Sequence, residues 1–298
     1  MIKTLLTILL ATGSLNAAQP SDEAPDPSGE VTAPSTSEIE SPGELLSALA
    51  EKDATISTLT GTIRYTIIHA LESDRQTRYG KLAIRSDDLQ HPGDSRKYAV
   101  SFNLLEIDDR QEKIEEHYIF DGRWFVERKP EEKQFYKREL VPAGQTLDPM
   151  ELMRDAPFWV SLGRDQDRLL ASYDAELRPR DDGLTNNPDY PELASLAEQP
   201  HVLHTTQLML TPKPGSGFED DWEWVRIWTD PSTLLPVLYI KADWSGDLQI
   251  VELFGVKANV EIPSSVFDTT SPDERSGWRV QISHWRGNAE QEPADMNP

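Results

Sequence analysis

The sequence predicts a mainly β protein, a large curved antiparallel sheet with a few short helices laid against one face. Three observations carry this expectation. Trp222, Trp224, Arg226 and Trp228 interleave with Glu223, Val225, Ile227 and Thr229, the two-residue period of a strand with two different faces. Turn chemistry then recurs at short intervals. Asp121-Gly122 lies between two β-branched and aromatic runs, and Asp230-Pro231-Ser232-Thr233 and Asp243-Trp244-Ser245-Gly246-Asp247 punctuate the later ones. Helical spacing, finally, appears only in short pieces. Strands joined by such short turns are antiparallel neighbours.

Residues 1–18 have the basic start, short apolar centre and small-residue end of a secretory signal peptide, with the cut after Ala17 or Ala18. The apolar run is too short to span a bilayer. Residues 19–43 are rich in Pro, Ser and acidic residues and hold almost no large apolar side chain, so they read as a disordered tether. Leu45, Leu46, Leu49 and Ile56 then mark a short amphipathic helix, whose acidic start suits the positive end of a helix dipole. Strand texture follows at 62–68, 78–85, 96–105, 114–120, 123–128 and 134–140. It breaks at 148–161, where Met150, Leu152, Met153, Phe158 and Trp159, with Leu162 just beyond, make an apolar helical segment interrupted by Pro157. A short helix is expected at 165–172 and a polar surface excursion at 181–200 containing a brief helix. Strands are expected at 202–210, 222–229, 234–242, 248–256 and 277–285, before a polar tail at 288–298. The folded domain therefore spans 44–287.

Composition narrows the function. The chain has no cysteine, which excludes a disulfide scaffold and a lipid-modified N-terminal Cys, and a core of this size holds without them. A net charge of −23, from 52 acidic against 29 basic residues, repels nucleic acid and anionic surfaces. Beyond the signal peptide no segment is long and apolar enough for a membrane helix, so no integral membrane protein is expected. Catalytic patterns are missing as well: there is no G-x-S-x-G, no H-E-x-x-H and no P-loop. His201 and His204, three apart at a strand start, point to opposite faces and lack a completing carboxylate or thiolate. Glu115-Glu116-His117 reads as a solvated strand start. Neither a cofactor, a metal nor enzyme chemistry is expected.

A bent sheet with few helices presents more apolar area than they can cover, which leaves an apolar concavity suited to a hydrophobic ligand. The aromatics Trp222, Trp224 and Trp228 serve equally as cavity lining or ordinary core. The same holds for Met150, Met153, Phe158 and Trp159, whose methionines suit a ligand that must enter and leave.

Several pieces, in this order, resemble the periplasmic outer-membrane lipoprotein carriers, the LolA-like family, over residues 44–285. They are an N-terminal helix before a Gly-containing strand; Tyr118-Ile119-Phe120-Asp121-Gly122-Arg123-Trp124; Ala156-Pro157-Phe158-Trp159-Val160-Ser161-Leu162-Gly163; and Trp228-Thr229-Asp230-Pro231 leading to Leu235-Pro236-Val237. The ending from Asp247-Leu248-Gln249-Ile250 to Ile262-Pro263-Ser264-Ser265-Val266-Phe267 completes the series. The resemblance implies an incomplete β-barrel with a helical lid over an acyl-chain cavity. Met150, Met153, Phe158, Trp159, Leu162, Trp124, Trp224 and Trp228 would line it, and an early-strand arginine, Arg85 or Arg96, would latch the lid. It also implies an exported, periplasmic, soluble carrier or chaperone for an acylated lipoprotein or another lipid, with a membrane-bound donor or acceptor protein as partner. The alternative is a periplasmic sensor that uses the same fold to detect lipids or bind a protein. A hydrolase ranks last for want of a nucleophile and base.

Overall fold

The computed structural model describes residues 39–71, 74–87, 96–108, 110–142, 145, 166–185 and 187–285. The segments expected as signal peptide, apolar helix and polar tail, and most of the expected tether, lie outside the described residues. The described chain opens on helix α1 (Pro42–Asp53). Ser41 starts it: its hydroxyl accepts the Glu44 N–H while the Glu44 carboxylate accepts the Ser41 N–H, and Pro42 fills the first turn, where no N–H is needed. Leu45, Leu46 and Leu49 form its buried face, as their spacing requires.

Six strands follow, β1 (Thr58–His69), β2 (Asp74–Ser86), β3 (Arg96–Ile107), β4 (Arg110–Phe120), β5 (Trp124–Lys129) and β6 (Gln134–Glu139). Helix α2 (Gln166–Ser172) runs without a turn into β7 (Tyr173–Arg178). After a 3-10 turn and helix α3 (Ala194–Ala197) come β8 (Thr206–Pro212), β9 (Trp224–Asp230), β10 (Leu235–Ala242), β11 (Leu248–Ala258) and β12 (Arg279–Ser283). All twelve strands make one sheet in the order β12-β6-β5-β4-β3-β2-β1-β11-β10-β9-β8-β7. Two meanders, β1–β6 and β7–β11, are joined where β1 pairs with β11. The sheet does not close, since β12 and β7 stand at its two ends. The expected fold class, a large unclosed curved sheet with a few helices, is therefore the observed one. Irregularities interrupt the register of the β1–β11, β2–β3, β3–β4 and β9–β10 pairs, and such irregularities bend a sheet. At the β2–β3 bulge Gly80 is obligatory, because a Cβ there would lie 2.1 Å from the Ser101 carbonyl oxygen.

Four elements differ from expectation. Strand β7 is unannounced in the sequence because no turn separates it from α2. Strand β8 begins at Thr206 rather than 202; Val202 lies in the preceding turn and is fully buried. Strand β12 is parallel to β6, which its long return from β11 permits and a tight turn would not. Residues 181–200, expected as a surface excursion, instead cover the sheet: Leu184, Leu193, Leu196 and Ala197 are buried against Trp228, Leu238, Ile240, Leu248 and Ile250.

Strand alternation thus gives the sheet two covered faces. Ile63, Val100, Phe102, Ile227, Tyr239 and Val251 point toward α1. The opposite face is covered by residues 179–205 at one end and, at the other, by the segment carrying Phe267, packed on Ala99, Ile119, Val126 and Phe135.

A candidate ligand cleft under α1

Beneath the C-terminal half of α1 the leucine face does not meet the sheet completely. A cleft of about 70 Å³ remains there, and its apolar walls come from five places in the chain. Helix α1 and its following turn contribute Leu49 and Ile56, β1 contributes Leu59, β2 Leu82 and Ile84, and β11 Leu253 and Val256. Leu234, Leu235 and Pro236 close it from the β9–β10 hairpin. Leu234 has φ of 55°, a left-handed conformation that costs a leucine about 1–2 kcal/mol. Its N–H donates to the Asp230 carbonyl at 2.8 Å, so the hairpin holds that conformation and sets Leu234 on the cleft wall.

One end of the cleft is polar and is formed by Lys52, Asp53, Ser57, Ser86 and Arg96. Arg96 Nη2 donates to Asp53 Oδ1 at 2.8 Å, with the two side chains only 9% and 16% exposed. The pair joins the last turn of α1 to the first residue of β3. At its other end α1 is tied to α2, where the Ser47 hydroxyl donates to Gln166 Oε1 at 3.0 Å and Gln166 Nε2 to the Gly43 carbonyl at 3.3 Å. The chain leaving α1 is held more firmly. Asn259, at φ of 56°, accepts from the Ser57 N–H and hydroxyl and donates to the Thr55 carbonyl. The Thr58 hydroxyl adds a 2.6 Å bond to the Val260 carbonyl. These bonds fix residues 55–58 against the end of β11 and the residues just after it.

Of the residues singled out in the sequence, Arg96 lies at this cleft. Arg85, one residue off in strand parity, faces the other side, where it pairs with Asp87 at 2.9 Å and lies 5.1 Å from the Phe267 ring centre. Trp124, Trp224 and Trp228 also belong to the face away from α1. Trp228 is fully buried and its indole N–H donates to the Arg180 carbonyl at 2.7 Å. Trp224 lies under the Arg226 guanidinium, and Trp124 among Arg123, Lys137 and His284. Trp222 precedes β9 rather than lying in it, so the expected stripe splits and Trp222 joins the α1-side core. Met150, Met153, Phe158, Trp159 and Leu162 lie outside the described residues.

Sequence reasoning missed the cleft's actual walls. Leu234-Leu235 after a Pro-containing turn was a usable signal, since consecutive apolar residues at a hairpin exit need cover. Leu82, Leu253 and Val256 carry none beyond strand periodicity.

A second buried charge group lies on the opposite face. Glu252, 2% exposed, accepts a bidentate pair from Arg64 and lies 3.3 Å from His201 Nε2. Burial alone would raise its pKa, but the bonds from His201 and Arg64 outweigh it and hold the carboxyl below the ordinary range. Each of its oxygens is engaged from within the fold, which marks a structural clamp. Among the described residues no group of three or more His, Asp or Glu is placed to hold a metal, and no helix is long and apolar enough to cross a membrane.

No protein-family model matches the chain, and no curated protein does. Solved structures similar to it include an uncharacterized conserved protein from Thermus thermophilus, at TM-score 0.39 and 8% identity over 80% of this chain and 97% of that one. A LolA superfamily protein from Nitrosomonas europaea is similar at TM-score 0.28 and 12% identity, over 74% of this chain and 96% of that one. MucB in the Pseudomonas aeruginosa MucA/MucB complex is similar at TM-score 0.36 and 16% identity, over 76% of this chain and 60% of that one. With TM-scores below 0.5, these likenesses carry no part of the functional case.

Proposed function

We propose that this chain is an exported binding module that takes the acyl chain of a lipid or lipoprotein into the cleft beneath α1. The observation that carries it is the cleft itself, an apolar slot with one polar end beneath a helix. At about 70 Å³ the cleft is smaller than a cavity of ~150 Å³ that accepts benzene, so a chain enters only when α1 lifts. The energies permit this. Seating Leu45, Leu46 and Leu49 stabilises the closed form by about 5–9 kcal/mol, at ~1.5–3 kcal/mol per leucine. Burying a sixteen-carbon chain contributes about 12 kcal/mol at ~0.8 kcal/mol per methylene, which exceeds it. A chain of about eight carbons contributes ~6 kcal/mol and does not clearly exceed it.

The module needs no catalysis. It holds a hydrocarbon away from water and releases it to a site that holds it better, in the manner of a carrier. The test is uptake of a fluorescent fatty-acyl probe by the full chain, with unlabelled acids of increasing length as competitors. Competition should set in at about ten carbons and be abolished by Val256→Asp or Leu235→Asp with the far-UV spectrum intact. Uptake that survives both substitutions refutes the reading.

A further inference from the structure

We propose that the end of the sheet carrying the β1–β2 and β10–β11 turns is a docking surface for a basic segment of a partner protein, whose arginine side chain enters a cleft between the β1–β2 hairpin and residues 189–192. This cleft has a volume of about 340 Å³ and shares no residue with the one under α1, so it stands apart from the acyl-chain reading. Ile68 and Tyr190, which belong to the face away from α1, form its apolar walls. Asp74, Asp189 and Glu192 bring three carboxylates to it against one permanent cation, Arg75.

Acidic side chains are common on a chain of net charge −23, so sign alone does not name the occupant. Asp74 adds a specific demand. Its Oδ2 accepts from Gln76 Nε2 at 3.0 Å, while Oδ1 is buried and, among the described residues, has no hydrogen-bond partner. A carboxylate oxygen cut off from water needs a donor, and a charged donor answers it best. Burial, and with it the carboxylates of Glu223, Asp189, Asp243 and Asp247, pushes the Tyr190 phenol up from its ordinary value. Negative charge therefore converges on this wall from both the cover and the β10–β11 turn. Among the described residues no three of these groups are placed to hold a metal ion, whereas a guanidinium spreads five N–H donors over a planar fork.

The guanidinium belongs to a protein segment because large apolar side chains flank the cleft. Leu71, next to the wall residue Ala70, is 84% exposed, and Trp244 in the β10–β11 turn is 63% exposed. That turn is tied to the cleft walls: the Ala70 N–H donates to Asp247 Oδ1 at 2.9 Å and the Tyr190 hydroxyl to the Gly246 carbonyl at 2.6 Å. Trp244 is itself fixed, its indole N–H donating to the Glu219 carbonyl at 2.6 Å. A fixed, exposed tryptophan offers contact area to a peptide side chain, apolar or cationic, which a free small cation would not use.

The experiment is calorimetric titration of the full chain with a short peptide of alternating leucine and arginine, with the same peptide carrying citrulline for arginine, and with agmatine, a free guanidinium. Expected is binding of the arginine peptide about tenfold or more tighter than its citrulline twin, weakening with added salt. Asp189→Asn combined with Glu192→Gln, both exposed, should bring that ratio to about one, and Asp74→Asn should lower it. The matched pair Glu131→Gln with Glu132→Gln removes the same charge from the β5–β6 turn, which lines no part of the cleft, and should leave the ratio as it was. Trp244→Ala should weaken both peptides alike. Should Asp74→Asn fail to fold, the exposed pair Asp189 and Glu192 decides. Equal binding of the two peptides, or a ratio that falls as far in the β5–β6 variant, overturns the docking surface and leaves diffuse charge. Agmatine binding as tightly as the arginine peptide overturns it in favour of a small-molecule cation.

Discussion

The two faces of the sheet are covered in opposite ways. On one side lies α1, a regular helix that brings three buried leucines and, among the described residues, side-chain bonds to Gln166 and Arg96. On the other lie residues 179–205, nearly devoid of regular structure yet fastened by polar bonds along their length. Trp228 donates to the Arg180 carbonyl, Arg180 to the Ala197 carbonyl at 2.7 Å, and Tyr190 to the Gly246 carbonyl at 2.6 Å. Arg226 reaches both the carbonyl and carboxylate of Asp182, Gln207 the same carbonyl, and His201 the buried Glu252. An irregular segment cannot satisfy its own backbone, so it is held by the side chains beneath it. A helix satisfies its backbone internally and can leave its seat as a unit. On the proposed reading of the cleft, the regular cover is the one that moves.

Breaking the fixed cover should have the largest effect. Trp228→Ala removes a fully buried indole and orphans the Arg180 carbonyl, and should cost about 3–5 kcal/mol in urea unfolding. It should leave acyl-probe affinity of the folded protein unchanged, because Trp228 lies on the face away from the cleft. A rise in affinity would show both covers to be mobile and dissolve the contrast. A smaller effect is expected from Ser41→Ala, which strips the α1 cap and should cost about 1 kcal/mol while accelerating probe entry. Stopped-flow uptake reads this directly, and an unchanged rate would mean that α1 is not the gate.

The smallest effect concerns pH. Glu252 has a folded-state pKa below its ordinary value of about 4.3, so its bonds to Arg64 and His201 stabilise the fold above that value and are lost as pH falls through the lower folded one. Thermal midpoints measured from neutral pH downward should therefore converge between the protein and Glu252→Gln in the acid range. Curves that run parallel throughout would remove Glu252 from the clamp.

Much of this architecture was legible in the residues. Two-residue periodicity and turn chemistry placed β1–β6 and β9–β11, and Leu45, Leu46 and Leu49 placed α1. The fixed cover was hidden because Leu184, Leu193, Leu196 and Val202 follow no period: they reach the sheet from turns, and a polar surround masks them. The cleft was hidden for a different reason. Its walls come one or two at a time from five segments, and no local pattern records which of them end up adjacent. The two arginines show how fine the margin is. Arg85 and Arg96 are both strand-borne and close in sequence, yet register alone turns one toward α1 and the other toward Phe267.

The seam between β1 and β11 has a consequence for how the chain matures. Arg64 and Glu252, partners across it, are 188 residues apart, so as the chain emerges amino end first β1 can pair with β2 at once and then waits for most of the polypeptide. During that wait the flank of β1 carrying Arg64, Thr66 and Ile68 is an open hydrogen-bonding edge, the kind that recruits stray strands. Synthesis thus passes through a half-sheet that is vulnerable to aggregation until the second meander arrives, and slowing the appearance of β11 should lower the yield of folded protein without altering its final stability.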